Sequence, residues 1–136
     1  MERSFILEIS TPDRDFFRGG VESLIIGTPG GEMGIMRNTL PLVTPLDPGV
    51  LRIKQNGGWM EAANGEGFVE VTPEKVSVLT QSAEWPYEVD MRKVQAEIDA
   101  AQEVLRKAQS LKEYKMAKAQ LARQFAKLKV KGRGLD

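Results

Sequence analysis

VLRIKQNGGWMEAANGEGFVEVTPEKVSVLT, from Val50 to Thr80, is the stretch that decides the fold class. Four short runs rich in Val, Ile, Phe and Trp occupy Val50 to Lys54, Trp59 to Ala63, Phe68 to Val71 and Val76 to Leu79. They are cut apart by Asn56-Gly57-Gly58, Asn64-Gly65-Glu66-Gly67 and Thr72-Pro73-Glu74, residue types that take up turn conformations at low cost. Short apolar runs at this spacing predict a meander within an all-β sandwich or barrel. Upstream the texture continues. Phe5, Leu7 and Ile9 alternate with Ile6, Glu8 and Ser10, the period of a strand, and Thr11-Pro12-Asp13 breaks it. Val21 to Ile26 reads as a second long strand closed by Thr28-Pro29-Gly30-Gly31. Shorter candidates follow at Met33 to Met36 and around Leu42 and Val43, before a turn at Asp47-Pro48-Gly49.

Downstream, texture and charge both change at Glu84-Trp85-Pro86. The remainder is rich in Ala, Lys, Gln and Leu, without Gly or Pro until Gly132. Through Asp90 there are 7 Lys and Arg against 14 Asp and Glu, and from Met91 onward 12 against 5. A formal net charge of zero thus hides an acidic part joined to a basic one, an asymmetry that bears on partners. Val94, Ile98, Ala101, Leu105 and Ala108 form one helical stripe, and Tyr114, Ala117, Leu121, Phe125 and Leu128 another. Asp90 is placed to cap the first helix. Ser110-Leu111-Lys112-Glu113 matches a capping box that starts a second helix at Leu111, and Gly132 suits its stop. The expected architecture is α+β: an N-terminal antiparallel β-sheet domain over residues 1–86, then an antiparallel two-helix hairpin over 87–136. The hairpin stripes are half alanine. Burying one Leu or Ile yields roughly 1.5–3 kcal/mol, whereas ordering the backbone costs roughly 1–2 kcal/mol per residue. The hairpin is therefore expected to hold its shape only against another surface, as a movable part.

The composition narrows the chemistry. There is no cysteine and no histidine, which removes disulfides, thiolate chemistry and the commonest general base and metal ligand. No catalytic and no metal-ligating residue is expected. No signal-peptide pattern and no run long enough to span a membrane are read, so a cytosol-like compartment is expected. Thr28 to Gly34 is glycine-rich but lacks the Gly-Lys-Ser/Thr ending of a phosphate loop, and a hairpin turn is the better reading. Carboxylates at Asp13, Asp15, Glu22, Glu32 and Asp47 read as turn and edge residues. The basic series Lys112, Lys115, Lys118, Arg123, Lys127, Lys129, Lys131 and Arg133 could follow a phosphate backbone. Interleaved aromatics are missing, since only Tyr114 and Phe125 occur and both are read on the apolar stripe. An acidic protein surface is the better partner, and nucleic acid is not expected. The alternative is a free-standing β-sandwich adaptor whose basic hairpin grips nucleic acid or an acidic protein. Trp59, in an alternating run, reads as core or interface.

FILEISTPDRDFFRGGVESL (Phe5 to Leu24), GTPGGEMGI (Gly27 to Ile35), LPLVTPLDPGVLRIK (Leu40 to Lys54), GEGFVEVTPEKVSVLTQSAE (Gly65 to Glu84) and the final hairpin, taken in order, resemble the epsilon subunit of rotary F-type ATP synthases. The resemblance implies a ten-stranded β-sandwich in the central stalk, a noncatalytic rotor part that touches gamma and the ring of c subunits. It implies coupling of proton or sodium flow to ATP synthesis, with a hairpin that restrains ATP hydrolysis by reaching the alpha and beta subunits. It places Glu32 in the loop facing the c ring, with Arg37-Asn38-Thr39 where the family usually has Pro, Gly or Asn, and His. Glu32, Arg37 and Thr39 are accordingly the interface candidates, and Lys115, Lys118, Arg123 and Lys127 the hairpin contacts. Some members bind ATP on the folded hairpin. Here Glu84, Asp90 and Arg123 match that site, but Lys93, Val94 and Lys127 depart from it. Lys cannot copy the forked donor set of Arg, so any regulatory ATP affinity is expected to be weak and no other cofactor is implied. The expected location is peripheral, on the cytoplasmic face of a bacterial cell membrane, a plastid membrane being the lesser alternative.

Overall fold

A computed structural model describes residues 3–134, with side chains through Gly132. Ten strands precede two helices: β1 Phe5–Ser10, β2 Asp15–Val21, β3 Ser23–Thr28, β4 Gly31–Ile35, β5 Leu42–Leu46, β6 Gly49–Gln55, β7 Gly58–Asn64, β8 Gly67–Val71, β9 Val76–Thr80 and β10 Ala83–Glu84. A single 3-10 turn at Pro86–Glu88 leads into α1 Met91–Lys107, and α2 Leu111–Gly134 follows. The first sheet runs β2-β1-β9-β8-β5 and the second β10-β7-β6-β3-β4. The strands pair antiparallel except for β1 with β9, which is parallel, Leu7 facing Val76 and Ile9 facing Val78.

The two inner faces share one core. Leu7, Ile9, Leu24, Ile26, Leu51, Ile53, Val69 and Val78 are fully buried there, each on alternate positions of its strand. The choice left open by the turn spacing is thus settled as a sandwich. The expected meander is interrupted. β6–β7 is a hairpin of the second sheet and β8–β9 one of the first, so the chain crosses between layers at Gly65-Glu66. That crossing is tight: a Cβ at position 67 would stand 1.9 Å from the Leu79 carbonyl oxygen. Two strands were not read from the sequence. β2, DFFRGGV, lacks clean alternation and exists through its pairing with β1. β10 is two residues long and, among the described residues, pairs only with the end of β7. The Thr28–Gly31 turn is the expected hairpin, with Gly31 at φ +117° and the Thr28 hydroxyl donating to the Gly31 carbonyl.

The helices begin where expected. The Asp90 carboxylate accepts from the amides of Arg92 and Lys93, and Ser110 Oγ accepts from the Glu113 amide at 3.1 Å. Helix α2 does not stop at Gly132 but continues to Gly134. The Arg133 side chain, part of the basic series, lies outside the described residues. No helix among the described residues is long and apolar enough to cross a membrane.

Candidate functional site

Helix α2 has two buried faces, because it packs against α1 on one side and against β6 and β7 on the other. Leu121, with Leu128 beside it, meets Val89, Val94, Ile98 and Ala101 in the hairpin interior. Ala126 and Val130 instead settle on Ala63 of β7, with Val50 of β6 alongside. This splits the stripe read from the sequence. Tyr114 and Phe125, placed there on the buried side, are 46% and 49% exposed and belong to neither face.

At the rim of the contact with the second sheet stand two ion pairs. Arg123 Nη1 lies 2.7 Å from both carboxylate oxygens of Glu66, in the crossing between β7 and β8, while its Nε donates to Gln120 Oε1 at 2.9 Å. Lys127 Nζ lies 2.6 Å from Glu84 Oε1 at the end of β10. Burial pulls the Glu66 carboxyl upward, but a backbone hydrogen bond and Arg123 outweigh it and hold the group below its ordinary value. All four side chains remain partly solvated, so each pair contributes about 0.2–1 kcal/mol. Gln124 is buried at 4% exposure with Oε1 unpaired among the described residues, which opposes the contact. A small apolar patch plus two screened ion pairs holds the hairpin by a few kcal/mol at most.

A second surface lies on the outer face of the first sheet. Val43, Phe68 and Leu79 point to solvent at 67%, 57% and 57% exposure. The strand register sets Leu79 opposite Phe68 and Phe68 opposite Pro45, so these three form one apolar row across β9, β8 and β5, with Val43 two positions before Pro45 on the same strand and opposite Glu70. An open groove of about 640 Å³ runs along it between Pro12, Asp47 and Gln81.

A family model described as "ATP synthase, Delta/Epsilon chain, beta-sandwich domain" matches residues 4–86. Curated relatives cover nearly the whole chain. The ATP synthase epsilon chain of Caldanaerobacter subterraneus subsp. tengcongensis is 42% identical over 96% of this chain and 95% of its own length. That of Ruminiclostridium cellulolyticum is 42% identical over 96% and 97%. The chain belongs to the ATP synthase epsilon chains.

An epsilon chain is a noncatalytic stalk subunit, in keeping with the resemblance read from the sequence. The fold is also that of chains in two solved assemblies. One is in a structure of the Euglena gracilis mitochondrial ATP synthase (TM-score 0.76, 21% identity, 98% of this chain and 82% of that one). The other is in a central stalk and c-ring structure from Tetrahymena thermophila (TM-score 0.63, 16% identity, 93% and 96%).

Within this epsilon chain the interface candidates are not one cluster. Glu32 lies beside the β3–β4 turn, whereas Arg37 and Thr39 follow the opposite end of β4. Glu32 borders a crevice of about 340 Å³ together with Arg52, Phe125 and Lys129, and so faces the hairpin. Thr39 ties its own loop, its hydroxyl donating to the Met36 carbonyl and accepting from the Met36 amide, with Asn38 at φ +71°. Of the hairpin residues, Arg123 and Lys127 are engaged on the sandwich, while Lys115 and Lys118 are exposed, Lys118 lying over the Tyr114 ring. Of the nucleotide candidates, Glu84 pairs with Lys127, Arg123 with Glu66, and Asp90 caps α1. No hydrogen bond or ion pair joins any two of these three. Sequence reasoning missed Glu66, the partner of Arg123. Its place between Gly65 and Gly67, at a crossing between layers, was the available signal.

Proposed function

We propose that this epsilon chain is a rotor part of the central stalk, coupling proton or sodium flow through the membrane ring to ATP synthesis. Its partners in this reading are gamma and the c-subunit ring. The apolar row of Leu79, Phe68 and Pro45, with Val43 beside it on β5, is the surface for gamma, since large exposed apolar side chains grouped on one sheet face suit a permanent neighbour. Glu32 and the Arg37–Thr39 loop, at opposite ends of β4, then serve two different contacts. The place of action is peripheral, on the cytoplasmic face of a bacterial membrane.

In the same reading the hairpin regulates. The observation that carries it is the weak attachment of α2: a small apolar patch, two partly solvated ion pairs and a buried Gln124 whose Oε1 is unpaired among the described residues. Released, the hairpin exposes Arg123 and Lys127 beside Lys115 and Lys118, a cationic surface suited to acidic segments of the alpha and beta subunits, where it restrains hydrolysis. Deleting Met91 onward in the assembled complex tests this division. Gamma binding is expected to survive and ATP hydrolysis to rise, while loss of gamma binding would contradict it. ATP affinity of the isolated chain is expected to be weak, because Lys93 and Lys127 replace forked donors. A calorimetric titration saturating in the micromolar range would overturn that part.

A further inference from the structure

Among the described residues, the side-chain hydrogen bonds from the segment joining the two domains to the rest of the chain all run to the sandwich. Arg14, in the turn between β1 and β2, donates from Nη1 and Nη2 to the two carboxylate oxygens of Glu88 at 2.7 and 2.8 Å. Its Nη2 also reaches the Ala83 carbonyl at 3.2 Å. The guanidinium lies 5.0 Å from the centre of the Phe16 ring, and Phe16 stacks on Trp85 with centroids 4.4 Å apart. Glu88 closes the set by accepting from the Trp85 amide at 2.9 Å. Up to Glu88, every one of these contacts belongs to the sandwich. At the next residue the allegiance changes: Val89 is buried in the hairpin interior with Val94, Ile98 and Leu121, and Asp90 caps α1. One backbone hydrogen bond, from the Val89 amide to the Pro86 carbonyl at 3.3 Å, spans the junction.

We propose that Arg14 rivets the Trp85–Glu88 segment to the sandwich, so that the released hairpin pivots at the Glu88–Val89 junction. This rests on the movable-hairpin reading above and adds where the arm turns and how far it reaches. The two-pronged geometry is specific to a guanidinium facing a carboxylate and resists shear that a single contact would not. The pairing raises the Arg14 pKa and lowers that of Glu88, so both stay charged across the neutral range. Helix α2 also touches the linker, but that contact leaves with the hairpin, whereas the Arg14 and Phe16 contacts do not. Without the rivet, Pro86, Tyr87 and Glu88 would join the tether, while Trp85 stays stacked on Phe16, and the reach would lengthen by about 10 Å. Arg14 is thus a positioning residue for an arm it never touches.

The absence of cysteine permits spin-label pairs in the full chain. One pair joins Glu70→Cys on the sandwich to Tyr87→Cys in the linker, and the other joins Glu70→Cys to Lys115→Cys on the hairpin. In a chain unlatched by Arg123→Ala with Lys127→Ala, the 70–115 distance distribution is expected to broaden while the 70–87 distribution keeps its width. Adding Arg14→Ala should broaden 70–87 as well and extend the longest 70–115 distances by about 10 Å. Glu88→Gln, which leaves the β1–β2 turn untouched, should do the same. A 70–87 distribution that broadens with Arg14 present, or stays narrow without it, overturns the rivet. A 70–115 distribution that stays narrow in the unlatched chain overturns the movable-arm reading, and the pivot with it.

Discussion

The sandwich and the hairpin bury their apolar residues in different ways. Among the described residues, sixteen buried side chains of the sandwich form a single cluster fed by both sheets. The hairpin divides its buried side chains between a five-residue cluster of its own and a contact of Ala126 and Val130 with Ala63. A connected core makes the loss of any strand expensive to all others. A divided one lets the hairpin leave without disturbing the layer beneath. Charge follows the same division, acidic before Met91 and basic after it, so the attachment is partly electrostatic and sensitive to salt. Weak attachment is therefore a property of where the apolar residues lie, not of poor helices. Both helices are well capped.

The contrast can be broken from either side. The largest effect is expected for Ile53→Ala in the fully buried sandwich core, which should lower global stability by about 2–5 kcal/mol and unfold both domains together in denaturant. The equivalent change in the hairpin, Leu121→Ala, should cost a similar 2–4 kcal/mol but only locally. Helical circular dichroism should fall while the near-ultraviolet signal of Phe16 stacked on Trp85 is retained. A loss of both signals would join the two regions into one cooperative unit. Arg123→Ala with Lys127→Ala comes next: removing two partly solvated pairs should raise hairpin opening by about 2- to 30-fold, with the strands unaffected. High salt should imitate most of that change.

The smallest effect is that of acid. Against the upward pull of burial, its own backbone hydrogen bond and then Arg123 hold Glu66 below its ordinary value of 4.5, and the part due to Arg123 makes docking favour the ionised carboxylate. Its contribution is complete above that ordinary value and is lost as pH falls from there through the lowered one. As pH falls below that ordinary value the hairpin amides should therefore lose protection before those of β6 and β7. Glu66→Gln should remove the difference.

Much of the fold was legible because the sandwich obeys local rules. Alternation marked β1 and the meander strands, and side-chain caps at Asp90 and Ser110 marked both helix starts. What was not legible depended on distant partners. β2 carries two consecutive glycines and becomes a strand only beside β1, and Gly65-Glu66 looks like any turn until its flanking strands are assigned to different layers. The register of α2 failed for a related reason. A single stripe assumes one neighbour, but α2 has two, so Ala126 and Val130 replaced Phe125 as buried residues. For the candidate site, the identities of Arg123, Lys127 and Glu84 were readable, whereas the pairing of Arg123 with Glu66 across 57 positions was not.

Native-state amide exchange on the intact chain tests the contrast most directly. The helical amides of α1 and α2 should open at least tenfold more readily than those of β1, β6 and β9, through a separate sub-global step that salt accelerates. Equal protection in helices and strands, insensitive to salt, would mean one cooperative body and would contradict a separately moving hairpin.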